Sequence, residues 1–295
     1  MKERARAHSK YSASGAERWL NCSAAVALAE GLPDVDTEAS LRGTLAHKVL
    51  ERIMLLLLAG ELVSFRMFKT WKGVDRAMYE DALNAANFIL GIGKDLQAEV
   101  RVETRVYLKF IHPEMFGTFD GAVIDYFATL HVFDFKYCTH LVSPRKNMQM
   151  LFYALGMAHR FKWNFEKVRL WIIQPRARGY DGPTYWDISI SELRKFEKVF
   201  ADGVKRVGTK PQFKEGDWCF FCKAKKICPL KIETKRSKTI DLFKSVPLIE
   251  QKEVRPNGKK EKSSKEVKSK AEEKRLAKKG WQATSEDEDN DGSRW

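Results

Sequence analysis

The spacing of apolar residues divides the first hundred positions into three predicted helices. Apolar side chains recur every three or four positions through residues 12–30, 38–62 and 74–96, as they do on the buried side of a helix. Ser12 and Ser14 are predicted N-caps of the first helix, because a serine hydroxyl can accept a hydrogen bond from an unpaired helix N–H.

The apolar pattern shortens to a period of two near Ala98, which predicts a strand. The side chains expected on one buried face of this strand are Val100, Val102, Val106 and Leu108. Two further strands are predicted at 117–127 and 130–137, joined by a short turn. The short turn favours pairing of these two strands as a hairpin.

Helical and strand patterns then alternate. Pro144 predicts the first turn of a helix that ends near Phe161. Strands are predicted at 166–174 and 184–188, and a helix at 191–206. Helices, a run of strands, a helix and another strand indicate an α/β fold, with a central mixed β-sheet flanked by helices.

The character of the chain changes after Leu230. Residues 251–280 are rich in Lys, Glu and Ser, and they contain too few apolar groups to offset the entropy of folding. Residues 286–291 are acidic. We therefore expect one domain over residues 1–232, followed by a charged, disordered tail at 233–295.

The net charge is +14, with a pI near 9.5, and most of this charge lies before residue 251. Residues 251–295 hold 13 Lys and Arg against 10 Asp and Glu, a net of +3, which leaves +11 for residues 1–250. This balance favours a polyanionic partner such as nucleic acid. No apolar run is long enough to cross a membrane, and no signal-peptide core follows the basic start, so a cytoplasmic location is expected.

Three charged residues fall in strands that should be largely buried: Asp120, Asp134 and Lys136. In a hairpin the two aspartates converge, while strand alternation sends Asp134 and Lys136 to one face and Phe135 to the other. Two carboxylates can hold Mg²⁺ or Mn²⁺ beside a phosphodiester, and a lysine can orient or deprotonate the attacking water, or offset negative charge. A lone Asp-x-Lys triplet is often only an exposed charged pair, so the expected burial carries the interpretation.

Four motifs between about residues 12 and 232 resemble the RecB-like branch of the PD-(D/E)XK nuclease superfamily. The sequence as a whole is most similar to phage and prophage members of that branch. The four motifs are GTLAHKVLE at 43–51, GTFD at 117–120, DFK at 134–136 and QMLFY at 149–153. The resemblance implies a restriction-endonuclease-like core. It also implies an exonuclease, acting on single strands or duplex ends in phage DNA recombination, replication or processing.

The same resemblance implies a metal site. His47, Asp120 and Asp134 would bind Mg²⁺ or Mn²⁺ together with the backbone carbonyl of Phe135. Glu51 lies one turn beyond His47 on the same helix face.

Asp120 and Asp134 would act in catalysis with three further residues. Lys136 would assist the attacking water, and Gln149 and Tyr153, four residues apart, would position the lysine or the DNA. Glu103, on the preceding strand, is a supporting acidic residue that an exposed strand charge explains equally well.

Four of the five cysteines suggest a second site: Cys219, Cys222 and Cys228 form C-x₂-C-x₅-C, and Cys22 lies far upstream. Ligation of a metal or cluster is favoured over disulfides, but spacing alone does not separate zinc from an iron–sulfur cluster. The AddB nuclease domain and the CRISPR adaptation nucleases share the layout, which implies a [4Fe–4S] cluster that joins the N-terminal helix to the C-terminal segment. Cys138 is left over and is expected to be structural.

Six basic residues flank these motifs, and phosphate binding or a merely solvated surface explains them equally well. They are Arg42, Arg145, Lys146, Lys223, Lys225 and Lys226. Two other functions stay open: a catalytically silent DNA-binding protein whose tail engages a protein partner, and a zinc-containing nucleic-acid-binding module. The complete set of metal ligands and the lysine favour the active nuclease.

Overall fold

The computed structural model describes residues 9–33, 36–209 and 211–235. The charged tail expected at 233–295 therefore lies outside the described residues beyond Lys235. The helices and strands, in chain order, are α1 (Ala16–Asn21), α2 (Ala24–Ala29), α3 (Glu38–Leu58), α4 (Arg76–Asp95), β1 (Glu99–Tyr107), β2 (Phe116–Ile124), β3 (Thr129–Phe135), α5 (Met148–Arg160), β4 (Lys167–Ile173), β5 (Thr184–Ser189) and α6 (Ile190–Gly208).

The five strands form one sheet in the order β1-β2-β3-β4-β5. Only β3 and β4 are parallel, and α5 makes the crossover between them. The hairpin of β2 and β3 forms as predicted, with Gly121 opposite Phe133. The prediction of an α/β fold with a mixed sheet flanked by helices is confirmed.

Helices cover the sheet on both faces. One apolar core lies between the sheet and α1, α5 and α6, and it contains Trp19, Phe152 and Phe200. The other lies between the sheet and α3 and α4, and it contains Met54 and Ile89. Coverage on both faces explains why β3 is buried along its whole length.

Two predicted helix starts are wrong. The stretch 12–30 is two short helices, and Ser12 accepts a hydrogen bond from the N–H of Gly15 in the turn before α1 and does not cap it. The crossover helix begins at Met148 and not at Pro144, because the side chain of Asn147 caps it by accepting hydrogen bonds from the N–H groups of Gln149 and Met150.

The prediction that the alternating apolar residues of β1 share one face is also wrong. Val100 and Val102 pack in the core of α3 and α4, whereas Val106 and Leu108 lie in the core of α1, α5 and α6. The change of face falls at Glu103, whose φ of 41° is left-handed and unusual for a residue other than glycine.

Strand β2 changes face at the position opposite Glu103. Phe119 packs in the core of α1, α5 and α6, but Gly121 touches Met54 and Ile89 in the other core. The ladder pairs Val102 with Gly121 and Thr104 with Phe119, and it has no pair at Glu103 and Asp120. Both strands therefore break their alternation at the position of two carboxylates.

No helix in the described part of the chain is both long enough and apolar enough to span a bilayer.

His131 is a buried histidine of β3, away from the predicted catalytic residues. Its ring is nearly parallel to the neighbouring rings of Phe133 and Trp171, and Trp171 Nε1 donates a hydrogen bond to its Nδ1 at 3.2 Å. Burial, and then the nearby charge of Arg169, lower the pKa of His131 to about 4. The folded protein therefore holds this imidazole neutral at pH 5, where the unfolded chain protonates it.

We expect His131 to make the fold sensitive to acid. Its folded pKa lies below its unfolded value, so its contribution is complete above pH 6.5 and is lost as the pH falls towards 4. The free energy of unfolding should drop by about 3 kcal/mol over that interval from this residue alone. Urea unfolding at pH 7 and pH 4 measures the drop, and in His131→Gln it should be smaller by that amount. An equal drop in both proteins would contradict the assignment.

Candidate active site

A cavity of about 170 Å³ opens where α3, β1, β2, β3 and α5 meet. All four predicted motifs contribute residues to its lining. Phe135 and Lys136 of the motif at 134–136 do not line the cavity but lie beside it. The lining residues are Thr44, His47, Lys48, Glu51, Glu103, Thr118, Asp120, Asp134, Gln149 and Tyr153. Residues separated by up to 109 positions thus meet at one place.

Helix α3 carries His47 to the cavity. Its first turn is fixed by a capping box between Thr37 and Ser40, and its apolar face packs on α4. His47 Nδ1 lies 2.6 Å from Asp120 Oδ1, and the imidazole meets the ring of Phe135 edge to face. A proton on Nδ1 leaves Nε2 with its lone pair, the form in which histidine binds a metal.

The second oxygen of Asp120 is bound by the backbone. The N–H of Phe135 donates to Asp120 Oδ2 at 2.6 Å, so the carboxylate of β2 ties β3 to α3. Asp120 is only 7% exposed, and both oxygens have partners in this environment. Two short hydrogen bonds give the carboxylate one fixed orientation.

Asp134, Lys136, Gln149 and Tyr153 form a connected network. Lys136 Nζ lies 2.8 Å from Asp134 Oδ2 and donates to Gln149 Oε1 at 2.7 Å. Gln149 Nε2 donates to Asp134 Oδ1 at 3.1 Å and to the hydroxyl of Tyr153 at 3.0 Å. The first turn of α5 therefore holds the lysine and the aspartate at the end of β3.

A glycine lets Tyr153 approach the sheet. A Cβ on Gly117 would lie 3.0 Å from the Tyr153 ring and 2.9 Å from the Cβ of Ala13. A side chain at position 117 would force the tyrosine or β2 to move. The glycine of the motif at 117–120 thus has a steric reason.

Burial and pairing shift the pKa values of the buried ionisable groups in opposite directions. Burial lowers the pKa of Lys136, but the negative groups around it, Asp134 foremost, together raise it, so the pKa lies above that of a free lysine. Burial lowers the pKa of His47 in the same way, and Asp120 reverses the shift. For Asp134, burial raises the pKa and Lys136 opposes it only in part. Burial also raises the pKa of Tyr153 well above its usual value, which keeps its hydroxyl protonated.

His47, Glu103 and Asp120 place one ligand atom each within 4.8 Å of one another. One imidazole nitrogen and two carboxylate oxygens suit a hard divalent cation such as Mg²⁺ or Mn²⁺. A cation would also offset the negative charge that several carboxylates bring to this cavity. Asp134, predicted as a ligand with the Phe135 carbonyl, lines the same cavity but pairs here with Lys136.

The motifs give Glu103 a supporting role, and the structure places a carboxylate oxygen of Glu103 within 4.8 Å of ligand atoms of His47 and Asp120. The backbone conformation of Glu103 directs the carboxylate to the cavity, and no sequence pattern reports a positive φ. The sequence signal that could have indicated a role for Glu103 is an acidic residue within the otherwise apolar pattern of β1. Glu51, one turn after His47, also reaches the cavity wall.

The four cysteines expected at a second site line one cavity of their own. They are Cys22, Cys219, Cys222 and Cys228. Cys22 is buried, and the other three are half-buried. Cys138 is not among the residues that line this cavity, and its Sγ lies 3.9 Å from His140 Nε2.

Contacts other than the cysteines also join the chain's two ends here. Arg18 Nη1 donates to the carbonyl of Phe221 at 2.8 Å, and Ser23 Oγ accepts from the N–H of Gln212 at 2.8 Å. The helix pair α1 and α2 is therefore attached to the segment that carries three cysteines.

The metal site should bind Mn²⁺ in the absence of any substrate. We expect Asp120→Asn and His47→Ala to weaken Mn²⁺ binding about tenfold or more, because each removes a donor from the three-residue group. Paramagnetic resonance of free Mn²⁺ in a titration measures the affinity. Asp181→Asn, at an exposed turn position, is the matched control. Equal affinity in all four proteins would refute the metal site.

Comparisons with solved structures find distant likenesses to exonucleases. A putative exonuclease from Eubacterium rectale is 11% identical, with 79% of this chain and 93% of that chain covered and a TM-score of 0.41. An alkaline exonuclease from Laribacter hongkongensis, LHK-Exo, is 10% identical, with 77% and 97% covered and a TM-score of 0.30. The structure of LHK-Exo in complex with dAMP is 12% identical, with 77% of this chain and 97% of that chain covered and a TM-score of 0.30.

A family profile described as "Protein of unknown function (DUF2800)" matches residues 8–285, nearly the whole chain. The chain belongs to the DUF2800 family.

Proposed function

We propose that this protein is a metal-dependent deoxyribonuclease that hydrolyses phosphodiester bonds with Mg²⁺ or Mn²⁺. One observation carries the proposal. Lys136, held by Asp134 and Gln149, lies beside the cavity that also contains the three possible metal ligands. Phosphodiester hydrolysis needs charge neutralisation, an activated water and a stabilised leaving oxygen, and this cavity offers groups for each.

His47, Glu103 and Asp120 would hold the cation, with Asp134 as a further carboxylate on the same wall. A bound divalent ion supplies charge neutralisation and an acidified water. The hydrogen bond from Phe135 N–H fixes the Asp120 carboxylate before any ligand arrives. Prior fixing lowers the reorganisation that binding requires.

Lys136 is better suited to offset negative charge than to accept a proton. Its ammonium is paired with Asp134 and donates to Gln149. Burial lowers its pKa, but Asp134 and the nearby Asp120 together reverse this effect, so the pKa is raised. A charged lysine at the cavity would stabilise the extra negative charge of the transition state or orient the water. Gln149 and Tyr153 hold the lysine and Asp134 in position.

DNA as the substrate is supported by charge. Residues 1–250 carry a net charge of +11, which attracts a polyanion. The four motifs resemble the RecB-like branch, and this resemblance suggests an exonuclease that acts on strand ends in phage DNA recombination, replication or processing. Exonuclease action is therefore part of the proposed activity.

We also propose that the four cysteines hold an iron–sulfur cluster. Within the described ranges, no three of these sulfurs all lie within 4.8 Å of one another, a condition that His47, Glu103 and Asp120 meet. A tetrahedral zinc site with bonds of about 2.3 Å would bring the sulfurs to about 3.8 Å apart. The common cavity with wider spacing favours a larger group over a single zinc ion.

We expect Lys136→Met and Asp134→Asn each to lower the rate of DNA hydrolysis by about a hundredfold or more, because each removes a charge at the reacting phosphate. The assay follows end-labelled linear, circular and single-stranded DNA with Mg²⁺ or Mn²⁺. Circular dichroism checks the fold of each variant, and Lys162→Met, at an exposed position, is the control. Full activity in both site variants would overturn the catalytic assignment. Inactive wild-type protein that still binds DNA would favour the silent DNA-binding alternative.

The cluster proposal predicts visible absorbance in anaerobically purified protein, which zinc thiolates lack. Cys22→Ser should lose this absorbance and should unfold at lower temperature, because α1 and α2 lose their link to the C-terminal segment. Cys138→Ser is the control and should keep both properties. Colourless wild-type protein with one bound zinc would contradict the cluster.

A further inference from the structure

Two adjacent aromatic rings lie exposed within the cysteine segment. Phe220 is 59% exposed and Phe221 is 64% exposed. Their ring centroids are 4.8 Å apart, with an interplanar angle of 80°. Cys219 and Cys222 flank the pair in the sequence. Because both rings are more than half exposed, they do not contribute to the apolar core.

The loop that presents these rings is held in place. Arg18 Nη1 donates to the carbonyl of Phe221, and the N–H of Cys222 donates to the carbonyl of Cys219 at 3.2 Å. These bonds fix the backbone on both sides of the rings. Exposed rings on a fixed loop lose little conformational entropy when a ligand covers them.

The same rings lie close to the proposed active site. The Phe221 ring meets the His140 ring at a centroid distance of 6.0 Å. His140 follows Lys136 by four residues, so their Cα atoms are at most about 14 Å apart. A chain that crosses Phe221 can therefore reach the cavity over a short path.

The charge around the rings is positive. Residues 214–231 contain five lysines against Glu215 and Asp217, a net charge of +3, and Glu215 pairs with Lys231. Lys225 Nζ lies 5.5 Å from the centre of the Phe220 ring, and Lys223 and Lys226 are exposed in the same turn. Exposed rings beside several ammonium groups fit a ligand that has both flat apolar faces and negative charge.

We propose that Phe220, Phe221 and Lys225, here named the aromatic platform, bind the unpaired bases of a DNA single strand next to the active site. The inference rests on the proposed function, since it supplies the strand that the cavity cleaves. Bases in a duplex are stacked on each other and cannot cover the rings, whereas unpaired bases stack on aromatic side chains. Lysines beside the rings contact the phosphates without regard to sequence.

The test is binding of a fluorescently labelled oligo-dT, followed by anisotropy without divalent metal so that cleavage does not interfere. Phe221→Leu keeps an apolar side chain but loses the ring, and it should bind about tenfold more weakly, as expected for one lost stacked base. Phe221→Trp should bind at least as well as the wild type. Phe220→Leu should weaken binding as well.

The matched control is Phe127→Leu. Phe127 is 71% exposed and lies in the turn between β2 and β3, at the opposite end of β3 from Lys136. This variant should bind like the wild type. Thermal unfolding and the visible absorbance of each variant show that the cysteine segment is intact.

A second probe separates stacking from charge. An oligomer of the same length without bases keeps the phosphates, and the wild type should bind it about as weakly as Phe221→Leu binds oligo-dT. Equal affinity of wild type and Phe221→Leu for oligo-dT would overturn the platform, including the case in which its true occupant is a protein. If wild type cleaves DNA while Phe221→Leu binds and cleaves normally, the platform fails and the nuclease proposal stands. If Phe221→Leu loses affinity while wild type cleaves nothing, the platform stands and the nuclease proposal fails.

Discussion

The carboxylate of Asp120 is the point on which the arrangement of the site depends. It accepts from the backbone of Phe135 and pairs with His47, so it joins β2, β3 and α3 in one interaction. The position opposite it, Glu103, is left-handed, and both strands change face there. Directly opposite residues of an antiparallel pair point to the same face of a sheet, and at this position both carboxylates reach the cavity wall, where a charge is not left unpaired in an apolar core.

The buried charges are tolerated because they are paired. Asp134 is 2% exposed, yet it has Lys136 and Gln149 as partners. Lys136 is held in turn by Asp134 and Gln149. Removing one member of such a set leaves the others buried without compensation, which is why the network constrains the sequence of β3 and α5 together. The constraint serves positioning, because an apolar replacement would pack in the same space at little cost in stability.

Much of this arrangement could be predicted from the sequence, since it follows from periodicity. The period of two placed Asp134 and Lys136 on one face and Phe135 on the other, and the spacing of four placed Gln149 and Tyr153 together; the contacts agree with both. The change of face in β1 was not predictable, because it depends on a single backbone dihedral angle at Glu103. The start of α5 was misplaced because Asn147, and not Pro144, supplies the cap.

The two constellations are physically connected, although they belong to different layers. The loop that leaves β3 after Lys136 reaches His140, whose ring contacts Phe221 of the cysteine segment. The cysteine segment is attached in turn to α1 through Arg18, and α1 packs in the core that contains Tyr153. A change in the cysteine segment therefore has two routes to the site, one through the loop at 137–147 and one through the core beneath α5. The first route is the more direct, because the loop that follows Lys136 itself contacts the cysteine segment.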